Sequence, residues 1–105
     1  MSERHNVILV LYDLPSVSTK DKKSVAEFRK QLIRSGYITV QKSVYVKLIR
    51  NTNTIKSELG RLKEIVPDQG NVKALPMSLS EFRKLVSLSG ESFNMKVFAD
   101  DMVII

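Results

Sequence analysis

The sequence predicts a single α+β domain in which strands and helices follow the order β-α-β-β-α-β. Three observations predict it: an unbroken apolar run near the N-terminus, two segments with apolar residues at helical spacing, and short strand-like runs between and after them. A chain of 105 residues has room for one hydrophobic core only. Residues 1–105 are therefore expected to form one domain.

The first strand is predicted at residues 7–12, where the run VILVLY suits a strand in the middle of a sheet, covered on both faces. A polar loop follows it. The first helix then begins at Ser18 or Thr19, either of which can cap it, and it carries apolar residues on one face. Gly36 is well placed to end this helix.

The middle of the chain predicts two strands and a second helix. Two short strand-like runs at 37–40 and 44–49 favour a hairpin or a kinked pair of strands. The second helix is predicted over about residues 54–66, again with apolar residues at helical spacing. Asn53 or Thr54 can cap this helix, and the proline that follows it ends it.

The last strand of the unit is predicted at residues 72–77, after a turn of polar residues and glycine. Its Pro76 cannot donate a ladder hydrogen bond, so this strand is expected at a sheet edge or strand end. The complete order matches the split βαβ arrangement of ferredoxin-like domains. Because this fold hosts many functions, it does not by itself indicate one.

The chain continues beyond this unit into a tail with an extra helix and an apolar end. Ser78 and Glu81 can form a capping box before a short apolar helix that ends near Gly90. An apolar terminus is rarely left in water. The apolar end is therefore predicted to add a strand to a sheet edge, either that of its own chain or that of a partner. We favour the partner, with residues 91–105 as a C-terminal strand segment that docks on it and residues 103–105 pairing with its sheet edge.

The residue usage excludes several kinds of chemistry. With no cysteine and with His5 as the single histidine, one chain has no disulfide, thiolate nucleophile, Cys-ligated zinc, His-based catalysis or multi-His metal site. The apolar run of the first strand is too short for a membrane span, and no small-residue cleavage site follows it. We therefore expect a cytoplasmic protein without a membrane partner.

The net charge is distributed unevenly along the chain. Residues 1–50 carry ten Lys or Arg against four Asp or Glu, whereas residues 51–105 carry seven of each, so the whole excess of +6 lies in the first half. A one-sided basic excess is typical of a protein with a phosphate-rich partner. A solvated, lysine-rich surface helix is the alternative explanation.

Asp13 ends the predicted central strand, a position where sheets often present functional groups. A carboxylate there can bind Mg²⁺, which takes a few carboxylates and several waters. The same carboxylate can instead simply cap the turn before Pro15. No second acid lies near Asp13 in the sequence. Our hypothesis for a metal site is therefore that Asp13 of a second copy, related by two-fold symmetry, completes it.

Two groups of residues are candidates for nucleic-acid contact. Tyr12 and Tyr45 can stack on bases or donate hydrogen bonds to phosphates, although both positions also suit ordinary sheet residues. A basic set stands at the start of the first helix and around the middle strands, where it can contact phosphates without reading sequence. Its members are Lys20, Lys22, Lys23, Lys42 and Arg50.

Taken together, these residues resemble a known family, the CRISPR-associated Cas2 proteins. The resemblance rests on the strand that ends Tyr-Asp-Leu-Pro at residues 12–15, on Ser-Gly-Tyr at 35–37 after a basic helix, on QKSVY at 41–45 and on Gly-Asn-Val at 70–72. It covers essentially the whole chain. The Leu-Pro pair and the longer tail are similar to members from systems with a single-protein effector nuclease.

The resemblance implies a ferredoxin-like homodimer that exchanges or docks its C-terminal strand. It implies a phosphodiesterase that depends on Mg²⁺ or Mn²⁺, with Asp13 as the metal-binding and catalytic acid, acting on single-stranded RNA or duplex DNA. It also implies a role in spacer acquisition, in which the subunit bridges two dimers of the Cas1 integrase and supports the captured duplex. Thr19, Lys20 and Lys22 stand where some relatives carry arginines, and lysine lacks the bidentate fork of arginine.

Three functions therefore compete. The first is an architectural subunit of CRISPR adaptation that binds duplex backbone and integrase, with weak or silent nuclease activity. The second is a stand-alone metal-dependent endoribonuclease of the toxin type. The third is a non-enzymatic ferredoxin-like RNA-binding module, which the lack of an aromatic platform disfavours. We predict the adaptation subunit, with the endonuclease activity that the family implies centred on Asp13.

Overall fold

Four antiparallel strands form one sheet with two helices on one of its faces, in a computed structural model that describes residues 5–98. The strand order in the sheet is β2-β3-β1-β4, which is the ferredoxin-like arrangement and confirms the predicted α+β class. The elements are β1 (Asn6–Asp13), α1 (Thr19–Arg34), β2 (Ile38–Gln41), β3 (Val44–Ile49), α2 (Ile55–Ile65), β4 (Asn71–Ser78) and α3 (Leu79–Phe82).

The first strand lies in the middle of the sheet, as its apolar run predicts. Its Leu9 pairs with Val46 of β3 on one side and with Leu75 of β4 on the other. Alternate residues of a strand face opposite sides of the sheet. Ile8 and Val10 are fully buried against the helices, in a core cluster that also contains Phe28, Leu32 and Leu62. β4, with its proline, is an edge strand, also as predicted.

The first helix begins and ends where the sequence predicts. Ser18 is its N-cap, with its Oγ accepting from the Asp21 N–H at 3.0 Å, while the Asp21 carboxylate accepts from the Ser18 N–H at 3.3 Å. This reciprocal pair is a capping box, which satisfies backbone donors that the helix itself leaves unpaired. Gly36 follows the helix with φ +97°, a conformation that glycine adopts without strain.

The second helix has the predicted Thr54 at its N-cap position, but a preceding turn supplies the side-chain cap. A 3₁₀ turn, Thr52–Thr54, precedes α2, and the Asn51 side chain caps this turn by accepting from the Asn53 N–H at 3.0 Å. Thr54 occupies the N-cap position of α2 but makes no side-chain capping bond there. An asparagine that bonds the backbone two residues ahead competes with the cap that the helical pattern favours.

The tail covers half of the sheet face that the helices leave open. Leu79 and Phe82 of α3, together with Phe98, are buried there against Val7 and Val46. The predicted helix is too long, because α3 ends at Phe82 and the chain beyond it turns. Serine hydroxyls favour this turn, since Ser87 Oγ donates to the carbonyl oxygens of Ser89 and Gly90.

The predicted C-terminal strand segment falls mostly outside the described residues. Residues 91–98 carry no strand, and Phe93, Met95 and Phe98 pack over the sheet of the same chain. Residues 99–105, including the predicted pairing segment 103–105, lie outside the described part. Between residues 5 and 98, no helix has the length and hydropathy required to cross a membrane.

Candidate functional site

Asp13 is exposed at the end of the central strand, on the open face of the sheet. Ile8, Val10 and Tyr12 pack among the residues under the helices. Strand alternation therefore places Leu9, Leu11 and Asp13 on the opposite face. Asn71, the first residue of β4, pairs directly with Asp13 in the ladder. The carboxylate thus lies at the C-terminal end of β1 and is accessible to solvent.

The four predicted lysines lie at this same end of the sheet. Lys20, Lys22 and Lys23 are exposed in the first two turns of α1, which begins shortly after Asp13. Lys42 is exposed in the turn between β2 and β3. This turn lies beside the end of β1, because the Tyr12 N–H donates to the Ser43 carbonyl at 3.0 Å.

Arg50, the fifth member of the predicted basic set, lies at the other end of the sheet. It follows Ile49, which pairs with Asn6 at the start of β1. The eight residues of β1 span roughly 25 Å at about 3.3 Å per residue. Arg50 therefore does not share a surface patch with the four lysines around Asp13.

The two predicted tyrosines use their rings for packing. Their ring centroids are 6.0 Å apart with an interplanar angle of 13°, and the Tyr12 ring also meets Phe28 edge-on at 5.2 Å. Tyr45 is only 2% exposed, so it offers no free ring face on which a base can stack. Burial, together with hydrogen bonding to Tyr45, raises the pKa of Tyr12 to about 12. Tyr12 therefore stays protonated at neutral pH.

Two polar clusters were not predicted from the sequence. In the first, Arg29 Nε donates a 3.0 Å hydrogen bond to the Tyr45 hydroxyl. In the second, the buried Glu58 carboxylate accepts from Lys47 Nζ at 3.1 Å and from the Tyr37 hydroxyl at 3.2 Å. Both clusters join residues that are far apart in the sequence, so no local sequence motif predicts them.

The open sheet face carries an apolar patch next to Asp13. Leu11 is 38% exposed and Leu75, on the neighbouring strand, is 49% exposed. Both lie on the part of the face that the tail leaves uncovered. Among residues 5–98 no three acidic, histidine or cysteine side chains gather as a metal-binding cluster. Asp13 therefore lies next to an apolar patch on the open face, at the end of the sheet where the four lysines are exposed.

Fold and site together define a small ferredoxin-like protein with a single acid at the mouth of its central strand and lysines around it. The family model for CRISPR associated protein Cas2 matches residues 6–85. The chain belongs to the Cas2 family, as its motifs indicate.

Several proteins named CRISPR-associated endoribonuclease Cas2 are similar to this chain. One from Campylobacter jejuni is 37% identical over 91 residues, which are 86% of this chain and 64% of that protein. The match thus spans less than two thirds of that relative. One from Streptococcus mutans is 33% identical over 80% of this chain and 78% of its own length. One from Treponema denticola is 31% identical over 93% of this chain and 97% of its own length.

Proposed function

We propose that this chain is the small nucleic-acid-binding subunit of CRISPR spacer acquisition and that it carries a metal-dependent endonuclease site at Asp13. The observation that carries the proposal is the exposed Asp13 carboxylate at the end of the central strand, at the same end of the sheet as four exposed lysines, in a member of the Cas2 family. The names of its relatives, which call them endoribonucleases, support the enzymatic part.

The donor set at Asp13 fits Mg²⁺ or Mn²⁺ as a partial site. Mg²⁺ is commonly held by one or two carboxylates, substrate phosphate and several waters. Asp13 supplies one carboxylate, and Asn71, paired with it in the ladder, has an amide oxygen of the type such ions accept. A bound ion supplies charge for the scissile phosphate and a more acidic water. The role of this chain is to hold that ion at the solvent-exposed end of β1.

The lysines around Asp13 provide the binding part of the proposed function. A nucleic-acid backbone that reaches Asp13 passes the start of α1, with Lys20, Lys22 and Lys23, and the turn with Lys42. Such phosphate contacts position a backbone and carry no sequence information. The expected binding is therefore independent of sequence and falls steeply with salt, because each neutralised phosphate releases counterions.

A homodimer is part of the proposal, and the open sheet face is its interface. Leu11 and Leu75 leave apolar surface exposed there, which a second copy of the same face covers. Because Asp13 is on that face, two-fold pairing brings two copies of Asp13 towards each other. The second carboxylate is then a further ligand for a shared ion.

An architectural role is the second candidate function, and one observation favours it. Among the described residues, Asp13 belongs to no group of three acidic, histidine or cysteine side chains that could hold a metal ion. Such an incomplete ligand set suits weak catalysis, whereas bridging Cas1 integrase dimers and supporting duplex DNA require surface charge and shape only. This bridging role is the part of the proposal that the family resemblance suggests.

The test combines cleavage, binding and Cas1-dependent integration assays on the purified full-length protein. Labelled single-stranded RNA and duplex DNA are incubated with wild type and with Asp13→Asn, with Mg²⁺, with Mn²⁺ and with chelator. We expect cleavage that requires metal and is lost in Asp13→Asn, while duplex binding persists. Asp21→Asn, which neutralises a neighbouring acid of the capping box, is the matched control and should keep the cleavage activity.

The outcomes separate the candidates. Metal-independent cleavage, or full cleavage by Asp13→Asn, contradicts the assignment of Asp13. A wild type that binds duplex and supports integration by Cas1 without any cleavage establishes the architectural role. Cleavage of RNA with no effect on integration favours the toxin-type endoribonuclease. Binding of single-stranded RNA alone, with neither cleavage nor duplex binding, favours the RNA-binding module.

A further inference from the structure

Arg29 is anchored at one point on the helix-covered side of the sheet. Its Nε donates to the Tyr45 hydroxyl at 3.0 Å, across 16 residues of sequence. Tyr45 is buried in β3, so the anchor is rigid, whereas Arg29 itself is exposed on α1. Because this bond uses Nε, the two terminal amino groups of the planar guanidinium remain suited to an anion that accepts through two oxygens.

Hydroxyl groups surround this anchor. The Ser43 carbonyl accepts the backbone N–H of Tyr12 at 3.0 Å, and the rings of Tyr12 and Tyr45 stack with their centroids 6.0 Å apart. Tyr12 and Ser43 are only partly buried. Lys42, which is exposed, precedes Ser43 in the same turn. The end of β1 is therefore flanked by hydroxyl groups, by the Arg29 guanidinium and by the turn that contains Lys42.

The partner of Arg29 leaves its charge uncompensated. A neutral phenol accepts the Nε hydrogen bond, so the positive charge of the guanidinium is not cancelled by that contact. Lys47 provides a contrast. It lies two residues beyond Tyr45 in β3, on the same face of the sheet, and its Nζ pairs with the Glu58 carboxylate at 3.1 Å. Charge-assisted bonds from a fixed arginine to phosphate are among the strong hydrogen bonds of proteins.

We propose that Arg29 and Lys42 form a phosphate-binding site beside the β2–β3 turn, that Tyr45 is the positioning residue of Arg29, and that the ligand is a phosphodiester of a nucleic-acid backbone. The inference rests on the proposed nucleic-acid binding and extends it to a surface that the four lysines around Asp13 alone do not define. It also gives this chain a bidentate arginine, which the lysines at the start of α1 cannot replace.

The experiment measures the affinity of a labelled DNA duplex by fluorescence anisotropy over a series of salt concentrations. The proteins are wild type, Arg29→Ala, Arg29→Lys, Tyr45→Phe and the control Arg61→Ala. Arg61 is a matched control because it is also an exposed helical arginine whose charge acts on a tyrosine, Tyr37. Circular dichroism melting of each variant checks that it is folded.

The expected results distinguish the contribution of the Arg29 charge from the contribution of its position. Arg29→Ala should bind roughly tenfold more weakly at low salt, and the slope of log affinity against log salt should flatten by about 0.9. Tyr45→Phe and Arg29→Lys should keep most of the salt slope, because the charge remains, and still lose part of the affinity. Arg61→Ala should stay near wild type in both quantities.

Failure of this inference is distinguishable from failure of the proposed function. A wild type that binds duplex, with Arg29→Ala no weaker than Arg61→Ala, overturns the phosphate site alone. A wild type without duplex binding overturns the proposed binding function and this site with it. If Arg29→Ala does not fold, Arg29→Lys and Tyr45→Phe decide, and wild-type affinity in both overturns the inference.

Discussion

Gly70 approaches Asp13 so closely that a Cβ atom on it would lie 2.8 Å from the Asp13 carbonyl oxygen. The same Cβ would lie 2.6 Å from Cδ2 of Leu14. Both distances are well below the separation at which non-bonded heavy atoms attract. Gly70 also has φ +94°, in the left-handed region. Because Gly70, the residue before β4, has no side chain, the end of β1 can pair with the start of β4.

Gly70→Ala should destabilise the protein more than the loss of glycine conformational freedom alone explains. We expect Gly70→Ala to lower the free energy of unfolding by about 2–4 kcal/mol, through backbone strain and the clash with Asp13 and Leu14. Gly90→Ala is the control, because Gly90 also has positive φ but, apart from its chain neighbours, no atom of residues 5–98 lies within 4 Å of its Cβ position. It should cost about 1–2 kcal/mol. Urea unfolding measures both, and equal losses would contradict the steric argument.

The buried Glu58 should stabilise the fold only together with Lys47. Glu58 is 5% exposed and accepts from Lys47 and Tyr37. Glu58→Leu should cost about 2–3 kcal/mol, because Lys47 is left partly buried without its counter-charge. Lys47→Met added to Glu58→Leu should recover part of this loss. Denaturant unfolding of the single and double variants measures the coupling, and purely additive losses would show that the pair is not coupled.

Stability should fall in strongly alkaline solution because of two tyrosines. Burial and the neighbouring Glu58 charge raise the pKa of Tyr37, and burial with hydrogen bonding to Tyr45 raises the pKa of Tyr12 to about 12, from an ordinary value of 10.0. A raised folded-state pKa means that the unfolded chain loses these protons first. The stabilisation is therefore complete below pH 10 and declines as the pH rises towards 12 and beyond.

Chemical denaturation between pH 8 and pH 12 measures this decline, within the window that the ordinary and raised tyrosine pKa values define. Tyr37→Phe should make the alkaline decline shallower, whatever its effect on stability at neutral pH. An unchanged slope in Tyr37→Phe would count against the assignment of the decline to this phenol.

A lysine on the open sheet face should dissociate the proposed homodimer. Leu75→Lys places a charge in the apolar patch that a second copy is proposed to cover, and burial of an unpaired charge is costly. Leu88→Lys is the control, since Leu88 is 95% exposed and lies outside the sheet. Light scattering coupled to size-exclusion chromatography should give a monomer for Leu75→Lys and a dimer for Leu88→Lys. If both variants remain dimers, the open sheet face is not the dimer interface.

Local signals allowed most of the fold to be predicted. The capping box of Ser18 and Asp21, the apolar run of β1 and the proline of β4 each act within a few residues, so the sequence shows them directly. The second helix and its N-cap residue Thr54 follow the prediction, but the capping bond does not, because the Asn51 side chain bonds to the backbone of Asn53 and starts a 3₁₀ turn first.

The site was predictable only in its parts that lie together in sequence. Asp13 and the lysines of α1 are close along the chain, whereas Arg50 was grouped with them although strand pairing places it at the far end of the sheet. Arg29 was missed because its role depends on packing between α1 and β3. The register of strands and the orientation of helices set these relations, and neither is encoded in a short motif.

The neighbourhood of Leu11 and Asp13 on one face has a kinetic consequence. The two residues are separated by roughly 7 Å along β1, at about 3.3 Å per residue. In the proposed homodimer, a second chain that covers Leu11 therefore brings its own Asp13 in the same encounter. When few copies are present, the number of completed pairs grows with the square of the protein concentration. The proposed cleavage would then have a specific rate that rises with protein concentration, and dilution alone would silence it without any inhibitor.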